Sequence, residues 1–200
     1  MTHTDIMNIL ESVSRQNNGL ILTKAAESSG ISRAMLSKLC NKGTLSRVAV
    51  GQYVFASELG DELLSLSQRS VLIVFSHESA LFLNGLTERT PFEHTVTIPS
   101  SKKLAASISE HCKVYYVKDE LVNLGKTTLK TTMGNPVPAY DPERTICDII
   151  RSRGRIADET FLSSLKIYAA SPKKNLAKLN VYAEAFGMTD AVRRYLEVLL

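Results

Sequence analysis

A helix-rich α/β (α+β) fold is what this sequence predicts, on three observations. Apolar residues recur at helical spacing up to Lys42 and then alternate as in a hairpin. Short apolar runs alternate with helical stretches through the middle of the chain. From Asp141 onward the pattern is almost continuously helical. The chain has 200 residues, 44% hydrophobic and 22% charged, so it can bury a core without staples.

The first helix is expected over 4–16, with Ile6, Ile9, Leu10 and Val13 on one face, stopped by "NNG" at 17–19. After the apolar "LILT", Thr23 is expected to cap a second helix, "KAAESSG", which Gly30 ends. Ser32 then caps a third, "RAMLSKLCNKG", whose Met35, Leu36, Leu39 and Cys40 share a face. Two short helices around a glycine turn form a helix-turn-helix. "LSRVAVGQYVFA" alternates through Val48, Val50, Tyr53 and Phe55 around Gly51, the pattern of a hairpin. Helix, short strand, two helices and hairpin, in that order, predict a winged helix-turn-helix over 1–57.

A linker helix is expected over 58–70, capped by Ser57, and a mixed α/β domain over 71–200 that ends in a run of helices. In it "VLIVF" is followed by "SHESALFLNGL", a helix with Ser76 as N-cap that ends near Gly85. "EHTVTIP" reads as a strand, "SKKLAASISEH" as a helix and "KVYYV" as a strand. "TTLKTT" and "NPVPAY" are extended, with a turn at Gly134. "DPERTICDIIRSRG" has Asp141 as N-cap, Pro142 at the first helical position and Glu143 in the first turn. Further helices are expected near 158–170, 172–186 and 189–199.

Charge is distributed unevenly around a formal net of +4. Residues 1–57 carry six Lys/Arg against three Asp/Glu, 58–150 nine against twelve, and 151–200 nine against five. The three cysteines, Cys40, Cys112 and Cys147, contain no C-x-x-C pair. That fits a reduced, cytoplasmic chain without metal or cofactor. The N-terminus has no signal-peptide pattern, and no apolar run approaches the ~20 residues of a membrane span.

Known catalytic motifs are missing: no phosphate-binding G-x-x-x-x-G-K-[ST], no G-x-G-x-x-G, no H-E-x-x-H and no G-x-S-x-G. Ser76, His77 and Glu78 are adjacent on one helical turn and so point apart, which favours a capped helix start over a catalytic triad. His111 and Cys112 are likewise expected to face opposite ways. Asp141, Glu143 and Asp148 read more simply as a capped helix with a solvated first turn than as an acid/base or metal site. No enzyme activity is expected.

The basic N-terminus is the stronger signal. Between Glu27 and Glu58 there is no acidic residue, while Arg33, Lys38, Lys42 and Arg47 all lie there. With the apolar face of the third helix turned inward, Arg33, Ser37, Lys38, Asn41 and Lys42 face out, mixing phosphate-seeking cations with short polar base readers. Thr44, Ser46, Arg47 and Gln52 fall on the wing. Winged helices also serve as protein-interaction modules; the missing counter-charge favours DNA. Near the C-terminus Lys166, Lys173, Lys174, Lys178, Arg193 and Arg194 suggest a basic surface for an acidic partner. Lys174 and Lys178 are spaced to share one helical face.

Taken together, "GLILTKAAESSGISRAMLSKL…GTLSRVAVGQYVFA", "SHESALFLNGL" and "PVPAYDPERTICDIIRSR" resemble the AbiEi antitoxins of abortive-infection systems. The resemblance implies a two-domain protein encoded beside a nucleotidyltransferase-like toxin. It implies a winged-helix domain that represses its own operon at inverted repeats in promoter DNA, as a monomer or with more than one copy on the DNA. It also implies a C-terminal domain that neutralises the toxin without a stable complex, in phage defence of type IV. A transcription factor whose C-terminal domain senses a ligand is the alternative, and an enzyme acting on the toxin or its substrate is a third.

Overall fold

Helix formation begins at Thr2, whose hydroxyl accepts from the Asp5 amide while the Asp5 carboxylate accepts from the Thr2 amide, a reciprocal cap. A computed structural model of the protein describes residues 2–197. It resolves into two compact units, 1–68 and 69–200. Among the described residues there are ten α-helices and two β-sheets.

The first unit runs α1 (His3–Gln16), β1 (Ile21–Leu22), α2 (Thr23–Ser28), α3 (Arg33–Asn41), β2 (Leu45–Ala49), β3 (Gln52–Phe55) and α4 (Glu62–Ser67). Its sheet has the order β1-β3-β2, both pairs antiparallel. Leu10, Ile21, Ala26, Leu36 and Leu45 close the core beneath the three N-terminal helices. Thr23 is the first residue of α2 rather than its cap; its hydroxyl donates to the Gly51 carbonyl (3.1 Å) and ties the helix to the hairpin turn. Of the helix expected over 58–70, only Glu62–Ser67 is helical, and it packs within this unit, capped by Asp61.

The second unit contains β4 (Val74–Phe75), α5 (His77–Leu83), β5 (Thr95–Pro99), α6 (Ala106–Ser109), β6 (Lys113–Val117), β7 (Lys126–Lys130) and β8 (Pro136–Tyr140). Then come α7 (Pro142–Arg151), α8 (Asp158–Ala170), α9 (Leu176–Ala185) and α10 (Thr189–Leu196). The sheet order is β6-β5-β4-β8-β7, with β5/β6 and β4/β8 parallel. Ile146, Ile149 and Ile150 of α7 pack with Phe161, Leu165, Leu179 and Val192 from the helices that follow. The helix expected over 101–111 shrinks to α6, and the one expected over 172–186 starts at Leu176, capped by Asn175. Residues 198–199 of the last expected helix lie outside the described residues.

Candidate nucleic-acid interface

Helix α3 starts at Ser32, whose hydroxyl accepts from the Met35 amide (3.2 Å). Leu36 and Leu39 are buried, and Met35 and Cys40 are half-buried beside them. The 100° turn per residue then leaves Arg33, Ser37, Lys38 and Asn41 on the opposite side, and all four are exposed, as is the following Lys42. Gly43 turns the chain at φ +73°, a conformation that favours glycine, and delivers it to half-buried Thr44 and the wing. Arg47 is exposed on β2, its Nε donating to the Ala49 carbonyl (3.3 Å). The structure thus presents seven of the eight expected contacts on one unit, with Thr44 the least accessible.

Arg33 brings a partner the sequence did not reveal. Its Nε lies 2.8 Å from a Glu27 carboxylate oxygen on α2, and its side chain is 75% exposed. The carboxylate holds the guanidinium above its ordinary pKa and occupies the donors a phosphate would use.

Gln52 is a correction. It is only 4% exposed; its amide donates to the Ser65 carbonyl (3.1 Å) and accepts from the Ser65 hydroxyl. It therefore fastens α4 to β3 and is unavailable to a ligand. The cause is that both faces of the hairpin are covered, one by the N-terminal helices and the other by α4. The register runs Leu45↔Phe55, Ser46↔Val54 and Arg47↔Tyr53, then jumps to Ala49↔Gln52 across a bulge. Leu45, Tyr53 and Phe55 pack on the core of the N-terminal helices, Gln52 and Val54 are buried on the opposite face, and Val48 and Val50 are exposed. Opposed residues of antiparallel strands share a face and successive residues alternate, which separates Phe55 from Val54 and Tyr53 from Gln52.

In the second unit the charged motif residues are internal. Asp141, Glu143 and Asp148 are buried rather than solvated. Asp141 caps α7 through the Arg144 amide (2.9 Å) and accepts from the Tyr182 hydroxyl (3.0 Å). Glu143 accepts from the Tyr168 hydroxyl (3.2 Å) and the Asn175 amide (3.0 Å). Arg144 lies 3.1 Å from Asp148 and donates to the carbonyls of Leu121 and Leu124. Its guanidinium sits over the rings of Tyr140 (4.0 Å) and Phe186 (4.5 Å).

This buried network corrects part of the expected basic surface. Lys178 reaches Asp141 (2.8 Å) and Glu143 (3.8 Å), and the bond to Asp141 raises its pKa. Lys174 precedes α9, in a turn where its amide donates to the Ser171 carbonyl, so it shares no helical face with Lys178. Lys166, Lys173, Arg193 and Arg194 are exposed, with Arg193 close to Glu197 (3.8 Å).

The "SHES" segment differs from a simple capped start. Ser76 makes no side-chain cap; Thr95 of β5 caps α5 instead, its hydroxyl accepting from the Ser79 amide (2.8 Å) while its own amide donates to the Ser79 hydroxyl (2.8 Å). Ser76 is free to meet His77 Nδ1 (2.9 Å), because Ser76 is extended and His77 has φ +47°. Adjacent side chains diverge on a helix but need not at such a junction. Elsewhere, His111 is exposed and Cys112 buried; burial pushes the thiols of Cys112 and Cys147 up to about 11 and about 12, so neither is a ready thiolate. All three cysteines are free. Among the described residues no group of three His, Cys, Asp or Glu is placed to hold a metal, and no helix is long and apolar enough to cross a membrane.

Residues 8–56, which hold α3 and the wing, match the family described as "Transcriptional regulator, AbiEi antitoxin". The likeness is to AbiEi antitoxins and lies in this segment. The matched segment includes every exposed α3 and wing residue described above. No curated protein matches the chain. Among solved structures, the crystal structure of the RV2827C protein from Mycobacterium tuberculosis is similar, with a TM-score of 0.54 and 14% identity over 98% of this chain and 82% of that one. At that identity the likeness concerns the fold alone, and it extends beyond the matched segment to the second unit.

Proposed function

We propose that this protein is a cytoplasmic autorepressor and antitoxin. Residues 1–57 bind inverted repeats in the promoter of its own operon, and residues 71–200 neutralise a nucleotidyltransferase-like toxin in phage defence. The observation that carries the DNA-binding half is the exposed side of α3. Arg33, Ser37, Lys38, Asn41 and Lys42 share it, with no carboxylate between Glu27 and Glu58. In a winged helix-turn-helix that helix enters the major groove and the wing approaches the backbone, which suits Arg47. Lys38 and Lys42 supply charge to phosphates; Ser37 and Asn41 are short enough to read base edges.

The test is binding of promoter DNA across a range of salt. Arg33→Ala with Lys38→Ala should weaken binding to all sequences and lower the salt slope by roughly 1 for each phosphate no longer neutralised. Asn41→Ala should instead relax discrimination at one operator position. Wild-type affinity and slope in the double variant would remove α3 from the interface. The antitoxin half rests on the family match and on the exposed cations Lys166, Lys173, Arg193 and Arg194. Reversing Lys173 and Arg194 to Glu should abolish rescue of toxin-expressing cells while promoter binding persists; retained rescue excludes that surface.

A further inference from the structure

The most unusual residue of the second unit has no part in the function proposed above. Among the described residues, His77 and Asn18 alone combine a side chain with positive φ. The left-handed region is uncommon for any residue with a side chain, although Asn and His enter it more readily than most. His77 is completely buried, and its ring lies flat on that of Tyr115, with centroids 3.4 Å apart and planes at 12°. Nδ1 meets the Ser76 hydroxyl and Nε2 the Ser152 hydroxyl (3.0 Å). The Thr97 hydroxyl, also buried, completes the chain by donating to the Ser76 hydroxyl (2.8 Å).

The direction of the protons along this chain decides what it can do. Burial, followed by the charges of Arg151, Arg144, Lys113 and Arg155, holds His77 well below its ordinary pKa, so the ring is neutral. A neutral imidazole has one donor and one acceptor nitrogen. If Ser152 donated inward, the order would run Ser152 to His77 to Ser76 to Thr97, stranding the Thr97 proton in the core. Run outward, from Thr97 to Ser76 to Nδ1 and from Nε2–H to Ser152, every buried proton has an acceptor. His77 is then no base for Ser152. The half-buried Ser152 hydroxyl accepts from the ring and turns its own proton away from it.

What surrounds that proton is mostly cationic. Ser152 opens the turn Arg153–Arg155, its carbonyl accepting from the Arg155 amide (2.8 Å). Lys113 donates to the Arg155 carbonyl (3.1 Å), and both cations stand by the Tyr115 ring, at 5.4 and 5.6 Å. Tyr115 is 3% exposed, and its hydroxyl makes no well-formed hydrogen bond, although Lys113 lies beside it. Against them stand Asp148, shared by Arg144 and Arg151, and Glu78, 3.8 Å from Lys113, with Glu93 further out. Four cations face three carboxylates, and Arg155 has no ion-pair partner among the described residues. The α7 carbonyls end here too and disfavour an anion, but the Ser152 amide accommodates two of them, from Asp148 and Ile150.

We propose that the second unit binds a tetrahedral oxyanion, phosphate or the phosphoryl group of a monoester, at the Ser152 hydroxyl beside Arg155, Lys113 and Tyr115. Ser152 and Tyr115 donate hydrogen bonds, Arg155 supplies the unmatched charge, and His77 is a positioning residue that fixes the Ser152 hydroxyl. Inorganic phosphate and a nucleoside 5′-monophosphate are the probes, titrated into the full chain labelled with 15N-histidine. The expected result is an Nε2–H tautomer of His77 that stays neutral below the ordinary titration range of imidazole, with its resonances shifted by either probe. Ser152→Ala and Arg155→Gln should each weaken binding at least about tenfold with folding retained, since removing a hydrogen bond to a charged group has that effect. Arg193→Ala should not. Equal affinity for both probes identifies free phosphate, and tighter binding of the nucleotide identifies a monoester. An Nδ1–H tautomer, or no shift of His77 with either probe at ~10 mM, overturns the proposal. So does unchanged affinity in both variants.

Discussion

Arg33 of α3 and Arg144 of α7 each sit near a helix start and each pair with a carboxylate, yet they do opposite work. The Arg33 side chain is 75% exposed and the Arg144 side chain 0%. Around Arg33 the α3 surface is open, polar and without other carboxylates, so charge there is available to a partner. Around Arg144 every neighbour is internal: a carboxylate, two carbonyls, two aromatic rings, and Gly125, where a Cβ would come within 2.5 Å of the Arg144 Cβ. Charge in the first unit is presented outward, and charge at the start of α7 holds the fold. The two arginines are distinguished by surroundings, not by motif.

The contrast is tested most severely at Arg144. Arg144→Ala leaves Asp148 buried with only the partly exposed Arg151 to balance it, and strands the Leu121 and Leu124 carbonyls. Removing one member of a buried pair costs about 3–5 kcal/mol. Urea unfolding should show this loss in the second unit, with α3 of the first still protected from hydrogen exchange. Arg144→Met combined with Asp148→Leu should recover much of the stability, because neither charge then stays buried alone. If Arg144→Ala unfolds like wild type but loses a binding activity, Arg144 belongs with Arg33.

Gln52 refines the contrast within the first unit. Its position in sequence suits the DNA-facing wing, but its side chain links β3 to α4. Gln52→Ala should therefore lower first-unit stability by about 1–3 kcal/mol, the cost of leaving a buried polar group unsatisfied. The effect should appear as faster amide exchange in α4, while promoter affinity stays unchanged under conditions where the variant is fully folded. Weakened binding with unaltered exchange would return Gln52 to the interface.

Helical periodicity with cap residues makes α1, α3 and α7 legible nearly to the residue, because burial repeats every turn and Ser32 and Asp141 cap as their types suggest. The hairpin is legible too, but the burial of its second face is not. Tyr53 and Phe55 take the core face, but Gln52 is covered on the other face by α4 through Ser65, and no residue type in the hairpin announces that. Acidic residues in a first turn are usually solvated, which is why Asp141, Glu143 and Asp148 mislead. The partners of buried Asp141 and Glu143 are Tyr168, Asn175, Tyr182 and Lys178, some twenty-five to forty positions later, while Asp148 is held by Arg144 and Arg151. The Ser76–His77 junction has one legible signal, a Ser-His pair at a helix start. Its meaning requires Thr95 to take over the cap and Ser152 to arrive from α7.

A far weaker effect is expected on the exposed side of the contrast. Glu27 on α2 occupies the Nε and Nη2 donors of Arg33, the cation best placed to begin a phosphate contact from α3. Solvent screens a pair this exposed, so it adds little to folding, and Glu27→Gln should leave the unfolding midpoint essentially unchanged. In the DNA binding proposed above, the same carboxylate would act twice: it would have to release the guanidinium, and it would repel an approaching phosphate. Removing its charge should therefore tighten promoter binding by roughly two- to fivefold at low salt, fading as ionic strength rises. Glu27→Gln in an Arg33→Ala background should retain only the repulsive part, so the two changes should be non-additive. Full additivity would mean that Arg33 makes no phosphate contact, leaving Lys38, Lys42 and Arg47 to carry the interface.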